Sequence, residues 1–125
     1  MNVRFADYSE DLPLTSIQAL TLEYIMLRVE QGDVFPKDVE GFLSIRNSSV
    51  VSLLNNLERD GYICRKAADF DGRYSRLIPT GKALAMREEI SKRIDQYMMA
   101  LFVDIPEDEL RILESVLEKI EQNAR

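Results

Sequence analysis

Apolar residues recur every three or four positions through most of the chain, and the breaks in that rhythm delimit its elements. Ile17, Leu20, Tyr24 and Leu27 keep helical spacing until Gly32, which predicts a core helix with those four on its buried side. It opens at Thr15-Ser16-Ile17-Gln18, a capping box in which hydroxyl and amide each satisfy a free N–H of the helix start. A second helix is predicted from Pro36, whose missing N–H costs nothing in a first turn, with Asp38 and Glu40 near the positive end. Val39, Phe42 and Leu43 give it one apolar face. Ser44-Ile45-Arg46 then form a turn, with Ile45 as a plug beneath it. A third helix is predicted over about 47–60: Asn47 or Ser48 caps it, Val50, Leu53, Leu54 and Leu57 form one buried stripe, and Gly61 stops it.

The period then shortens. Tyr62 to Lys66 and Ser75 to Ile78 read as the two strands of a hairpin, with Asp69, Asp71 and Gly72 as the turn. Val34 and Phe35 are expected to add a short third strand. From Thr80 a long helix is predicted to about Phe102, with Ala83, Ile90, Ile94, Tyr97 and Leu101 along one seam. Pro106 restarts it, followed by the acidic first turn Glu107, Asp108 and Glu109 and the stripe Leu110, Leu113, Leu117 and Ile120. Two such seams suit either pairing between chains or a helical hairpin within one. The predicted class is mainly α with a small β-hairpin wing: a winged helix-turn-helix over 14–80, helices over 81–125 and a short segment over 1–13, all in one domain.

The order of elements from Pro36 to Thr80 points to DNA. Ser48, Ser49, Val51, Ser52, Asn55 and Asn56 lie off the buried stripe of the third helix, and no acid occurs from Ser48 to Asn56. Hydroxyls and amides reach base edges in a major groove, and Val51 suits a thymine methyl. Taken alone, such a helix is more often an ordinary polar surface. The hairpin beside it changes that reading, because it displays Arg65, Lys66, Arg73 and Arg76, and a narrow minor groove attracts inserted Arg. Arg46 and Asn47, at the helix start, complete the expected DNA-binding set.

Asp71-Gly72-Arg73, followed by Leu77-Ile78-Pro79-Thr80-Gly81-Lys82, resembles the MarR family of winged-helix transcriptional regulators, and the resemblance extends over roughly Leu14 to Arg125. It implies that the helix over 47–60 is a recognition helix and that the wing, about 62–78, enters the minor groove. In that scheme Asp71 orients Arg73. It further implies a homodimer paired through terminal helices, most often a repressor on an inverted-repeat operator, and a small-molecule effector of unidentified chemistry. Two features depart from the family pattern. Relatives carry a long helix ahead of the segment at Leu14, where only 1–13 stand here, so most of that helix is expected to be missing. Ser52 and Asn56 stand where many relatives carry Arg, which shifts base reading toward Ser and Asn contacts and the wing.

Charge complicates the picture, since the 125 residues carry a net −6. Residues 41–80 nonetheless hold six basic and four acidic side chains and are net positive, whereas both flanks are acidic. Such a field steers DNA to one face and repels it elsewhere. With no bilayer-spanning apolar run and no signal peptide, the expected compartment is the cytoplasm. A single Cys and no His exclude an intrachain disulfide framework and an ordinary Cys/His zinc site. No cofactor is expected. Cys64 reads as strand filler, although adjacent Arg65 and Lys66 raise the alternative of a redox switch. Tyr24, Tyr62, Tyr74 and Tyr97 read as core rather than as an effector pocket. No catalytic motif is present. The competing function is a winged-helix protein-interaction module without DNA binding, for which the acidic surface and Arg-poor recognition helix are the arguments.

Overall fold

The computed structural model describes residues 3–124. Its elements run α1 (Ala6–Ser9), α2 (Ser16–Arg28), α3 (Pro36–Leu43), α4 (Asn47–Arg59), β1 (Ile63–Ala67), β2 (Ser75–Pro79), α5 (Gly81–Ala85), α6 (Arg87–Leu101) and α7 (Glu107–Asn123). This is the predicted class: mostly helical, with a single two-stranded antiparallel hairpin among the described residues.

α2 begins at the expected capping box. Gln18 N–H donates to Thr15 Oγ1 at 3.2 Å, and Thr15 N–H donates to Gln18 Oε1 at 2.9 Å. Its buried side differs from the expected one. Ile17 and Leu27 are 41% and 45% exposed, while Ala19, Thr21, Leu22, Ile25 and Met26 are buried. The helix is apolar on most sides and packs against α3, β2 and α6, so spacing alone does not select among its stripes. The buried Thr21 hydroxyl donates to the Ile17 carbonyl at 2.6 Å and leaves no polar group unsatisfied there.

α3 starts at Pro36 as predicted. The Asp38 carboxylate accepts from Phe35 N–H at 2.9 Å, and Val39 is fully buried. Phe42 is 47% exposed, but its ring stacks on Tyr24 of α2 at 4.2 Å. Ser44 ends the helix in the left-handed region at φ 54°, and Ile45 packs half-buried against the core.

Val34 and Phe35 do not form a third strand. The Val34 carbonyl accepts once, from Leu77 N–H at 2.7 Å. The ladder stops there because Asp38 has claimed the Phe35 N–H and Pro36 has none. β1 and β2 pair from Ile63 opposite Pro79 to Ala67 opposite Ser75, placing the first strand one residue later than its sequence pattern suggests.

The predicted long helix after Thr80 is divided at Met86, whose N–H bonds three residues back to Ala83. Its seam crosses the division: Ala83 and Ile90 are buried, Ile94 and Tyr97 pack against the core, and Leu101 is 39% exposed. The N-terminal segment docks on α6. The Phe5 and Tyr97 rings meet edge-on at 5.5 Å, and Arg93 donates to the Tyr8 carbonyl at 2.9 Å and to both Asp11 carboxylate oxygens. α7 follows Pro106 with its acidic first turn in place, and none of its described residues is buried.

Candidate nucleic-acid interface

α4 is anchored from within and at both ends. Val50, Leu53, Leu54 and Leu57 are buried as expected. That stripe orients the helix so that Ser48, Ser49, Val51, Ser52 and Asn55 are exposed and Asn56 is half-buried. The cap differs from the expected one: Arg46 occupies the capping position with extended backbone, and no side chain caps the helix. Asn47 lies inside the first turn and its amide donates instead to Glu40 of α3. Asn47 therefore ties α3 to α4 across the turn.

The C-terminal end of α4 is a Schellman motif. Tyr62 N–H reaches the Leu57 carbonyl at 2.9 Å and Gly61 N–H the Glu58 carbonyl at 3.0 Å, with Gly61 at φ +84°, a conformation that favours glycine. The segment after the hairpin clamps this end. Thr80 Oγ1 donates to the Gly61 carbonyl at 2.6 Å and accepts from Ala83 N–H, capping α5. Lys82 Nζ donates to the Asp60 carbonyl at 2.7 Å and lies 4.4 Å from the centroid of the buried Tyr62 ring. The Thr80-Gly81-Lys82 signature thus fixes where α4 ends relative to the strands.

At the wing tip, Asp71 accepts from Arg73 Nε at 3.1 Å, from Nη2 at 2.7 Å and from the Arg73 backbone N–H at 3.0 Å. The Arg73 side chain is nonetheless 85% exposed. The Arg73 guanidinium holds the Asp71 carboxyl below its ordinary pKa, chiefly by side-chain hydrogen bonding. Such a pair presents a cation on a stiff support, so little rotamer entropy is lost when it meets an anion. Beneath it a chain of rings steadies the loop: Phe70 lies 5.9 Å from Phe35 and 5.7 Å from Tyr74. Tyr74 is 54% exposed and is not the core residue expected. Tyr62 is buried, and Tyr24 and Tyr97 pack partly against the core.

The other wing cations have different surroundings. Arg65 Nη2 donates to Asn55 Oδ1 at 2.9 Å, and its Nε lies 3.7 Å from Glu58, so it bridges β1 to α4. Arg76 faces Asp33, in the loop after α2, at 3.7 Å. Lys66 and Arg46 are exposed. Lys37, Asn47, Arg65 and Arg73 line one cleft between α3, α4 and the wing. The cleft thus brings Asn47, Arg65 and Arg73 together, with Arg65 at the joint to α4, whereas Lys66 and Arg76 are cross-strand partners near the turn, on the hairpin face opposite Arg65. Sequence reasoning missed the joint and the ring chain, because both depend on contacts between separate elements. Cys64 is a half-buried free thiol in β1, opposite Ile78.

No family model matches the chain. Solved structures do. The transcription regulator MarR from Oenococcus oeni is 25% identical, with a TM-score of 0.76, over 95% of this chain and 88% of that one. S. aureus MepR in complex with DNA is 22% identical, with a TM-score of 0.80, over 97% of this chain and 86% of that one. A MarR protein from Peptoclostridium difficile is 22% identical, with a TM-score of 0.75, over 93% and 74% respectively. The chain is a winged helix-turn-helix protein. Its fold is that of the MarR family of transcription regulators, the family its sequence resembles.

Proposed function

We propose that this protein is a DNA-binding transcription regulator that acts as a homodimer, most simply a repressor occupying an inverted-repeat operator. The observation that carries the reading is the pairing of an α4 outer face without acids from Ser48 to Asn56 with an Asp71-buttressed, solvent-facing Arg73 on the wing. In this scheme α4 enters the major groove and offers Ser48, Ser49, Val51, Ser52, Asn55 and Asn56 to base edges. The wing brings Arg73 to the neighbouring minor groove, while Arg46, Asn47 and Lys66 meet the backbone. Arg65 serves this surface from its joint with α4, and Arg76 lies beside its cross-strand partner Lys66 near the turn. The structure of a DNA complex for the similar S. aureus MepR supports the assignment.

Dimerisation is supported by α7. Ile112, Leu113, Val116, Leu117 and Ile120 are 45% to 63% exposed, a stripe that an isolated chain leaves in water at considerable cost. A second copy covers it most economically, and two-fold symmetry then sets two recognition helices about one helical turn apart.

Fluorescence anisotropy with a random-sequence duplex at low salt tests the reading against a protein-interaction module. Binding that weakens steeply with added salt supports the regulator. No binding at any salt supports the module.

A further inference from the structure

We infer that Asn55 reads bases as a hydrogen-bond donor only, and that Arg65 is the positioning residue that makes it so; the inference rests on the DNA-reading function proposed above. A guanidinium carries donors and no acceptor. The Asn55 atom 2.9 Å from Arg65 Nη2 is therefore the carbonyl oxygen Oδ1, and chemistry fixes the orientation of the amide. Arg65 is itself held in place. It rises from β1, paired across the hairpin with the core residue Leu77, and its side chain is only 29% exposed, with Glu58 at 3.7 Å.

The carboxamide is planar, so turning Oδ1 toward Arg65 turns the amino group away from it. That amino group, with two N–H donors, belongs to an exposed residue on the same helix side as the exposed Ser48 and Ser52, at spacings of three and four. A bidentate grip on adenine needs the amide's acceptor and donor presented together to one base edge. Here Arg65 takes one lone pair of Oδ1 and holds the oxygen toward the wing, so the amide cannot present acceptor and donor together to one base edge. Guanine offers N7 and O6 as acceptors and thymine offers O4, and both suit a donor. Cytosine presents only an amino donor, and adenine sets its amino donor beside its single acceptor N7, so a lone donor is opposed on the first and gains at most one flanked bond on the second. One position in each half-site is thus biased to guanine or thymine by a residue, Arg65, that does not touch the base.

Sequencing of duplexes selected from a random pool by the full-length protein and its variants tests this. In the wild-type sites one position per half-site favours guanine or thymine over adenine on the order of tenfold. N55D keeps the contact to Arg65 as an ion pair but offers no donor, and it moves that position toward cytosine. R65M frees Oδ1 and admits adenine at that position, with little change elsewhere. Circular dichroism melting of both variants confirms that folded proteins are compared. Wild-type sites that favour adenine there, or identical preferences for wild type, N55D and R65M, overturn the inference while leaving DNA binding intact. An R65M that loses selectivity evenly at all positions also overturns it, since a merely structural Arg65 predicts that. Failure of the wild type to enrich any sequence removes the DNA-reading function and the inference with it.

Discussion

Asp71 binds Arg73 twice over, through the guanidinium with both carboxylate oxygens and through the backbone N–H with Oδ1. Two residues apart on the wing tip, the pair converts a flexible cation into a directed one. Arg73→Ala should weaken DNA binding by about 1 to 3 kcal/mol and leave the melting temperature unchanged, because the side chain lies outside the core. Asp71→Ala should weaken binding too, although it removes a negative charge. Equal affinity of wild type and Arg73→Ala in anisotropy titrations removes the wing from the mechanism; tighter binding by Asp71→Ala shows that charge outweighs orientation.

Arg93 and Asp11 hold the N-terminal segment on α6, and side-chain hydrogen bonding to Arg93 lowers the Asp11 pKa from 3.8 to about 2. Because the folded value lies below the unfolded one, the pair stabilises the fold above pH 3.8, and that contribution fades as pH falls through about 2. Asp11 is open to solvent, so added salt should reduce the effect. NMR titration of the Asp11 carboxyl should give a midpoint near 2 in the wild type and an ordinary value in Arg93→Gln. Matching midpoints in the two proteins contradict the latch.

Thr80 closes the end of α4 and opens α5 with one hydroxyl. Thr80→Val keeps the shape but strands the Gly61 carbonyl and the first turn of α5, at a cost of roughly 1 to 2 kcal/mol. Urea denaturation should show a lower midpoint with an unchanged slope. A midpoint equal to that of the wild type would mean that water replaces the hydroxyl at no cost.

Leu113 and Leu117 are 45% and 56% exposed in the single chain. Changing both to Glu should leave the fold intact while converting dimer to monomer, as read by sedimentation equilibrium at micromolar concentration. Operator affinity should fall with it, since two linked half-sites bind far more tightly than one. A double variant that sediments as a dimer places the interface elsewhere.

Much of the winged helix-turn-helix lobe was legible because its signals are local. Pro36 with Asp38, the stripe from Val50 to Leu57, Gly61 and the turn chemistry at Asp71-Gly72 each act within a few residues. They delimit α3, α4 and the hairpin almost to the residue. The buried side of α2 was not legible, since several apolar stripes compete on one helix and the choice falls to neighbours distant in sequence. The same is true of the cations. Arg65 and Arg76 read alike as free wing charges, yet one is committed to Asn55 and Glu58 and the other faces Asp33. Asn47 reads as a cap because Asn caps well, but the helix starts one residue earlier, with Arg46 at the cap, and the Asn47 amide bonds Glu40 of the preceding helix. The exposed stripe on α7 was legible as a seam, while its lack of any buried residue in its own chain was not.

In the proposed function, α4 and the Arg73 wing read DNA as a symmetric pair. Selection of bound duplexes from a random pool by the wild-type protein, followed by sequencing, should yield an enriched inverted repeat with half-site centres about one helical turn, roughly 10 base pairs, apart. No enrichment at low salt, or an enriched site without two-fold symmetry, would contradict it.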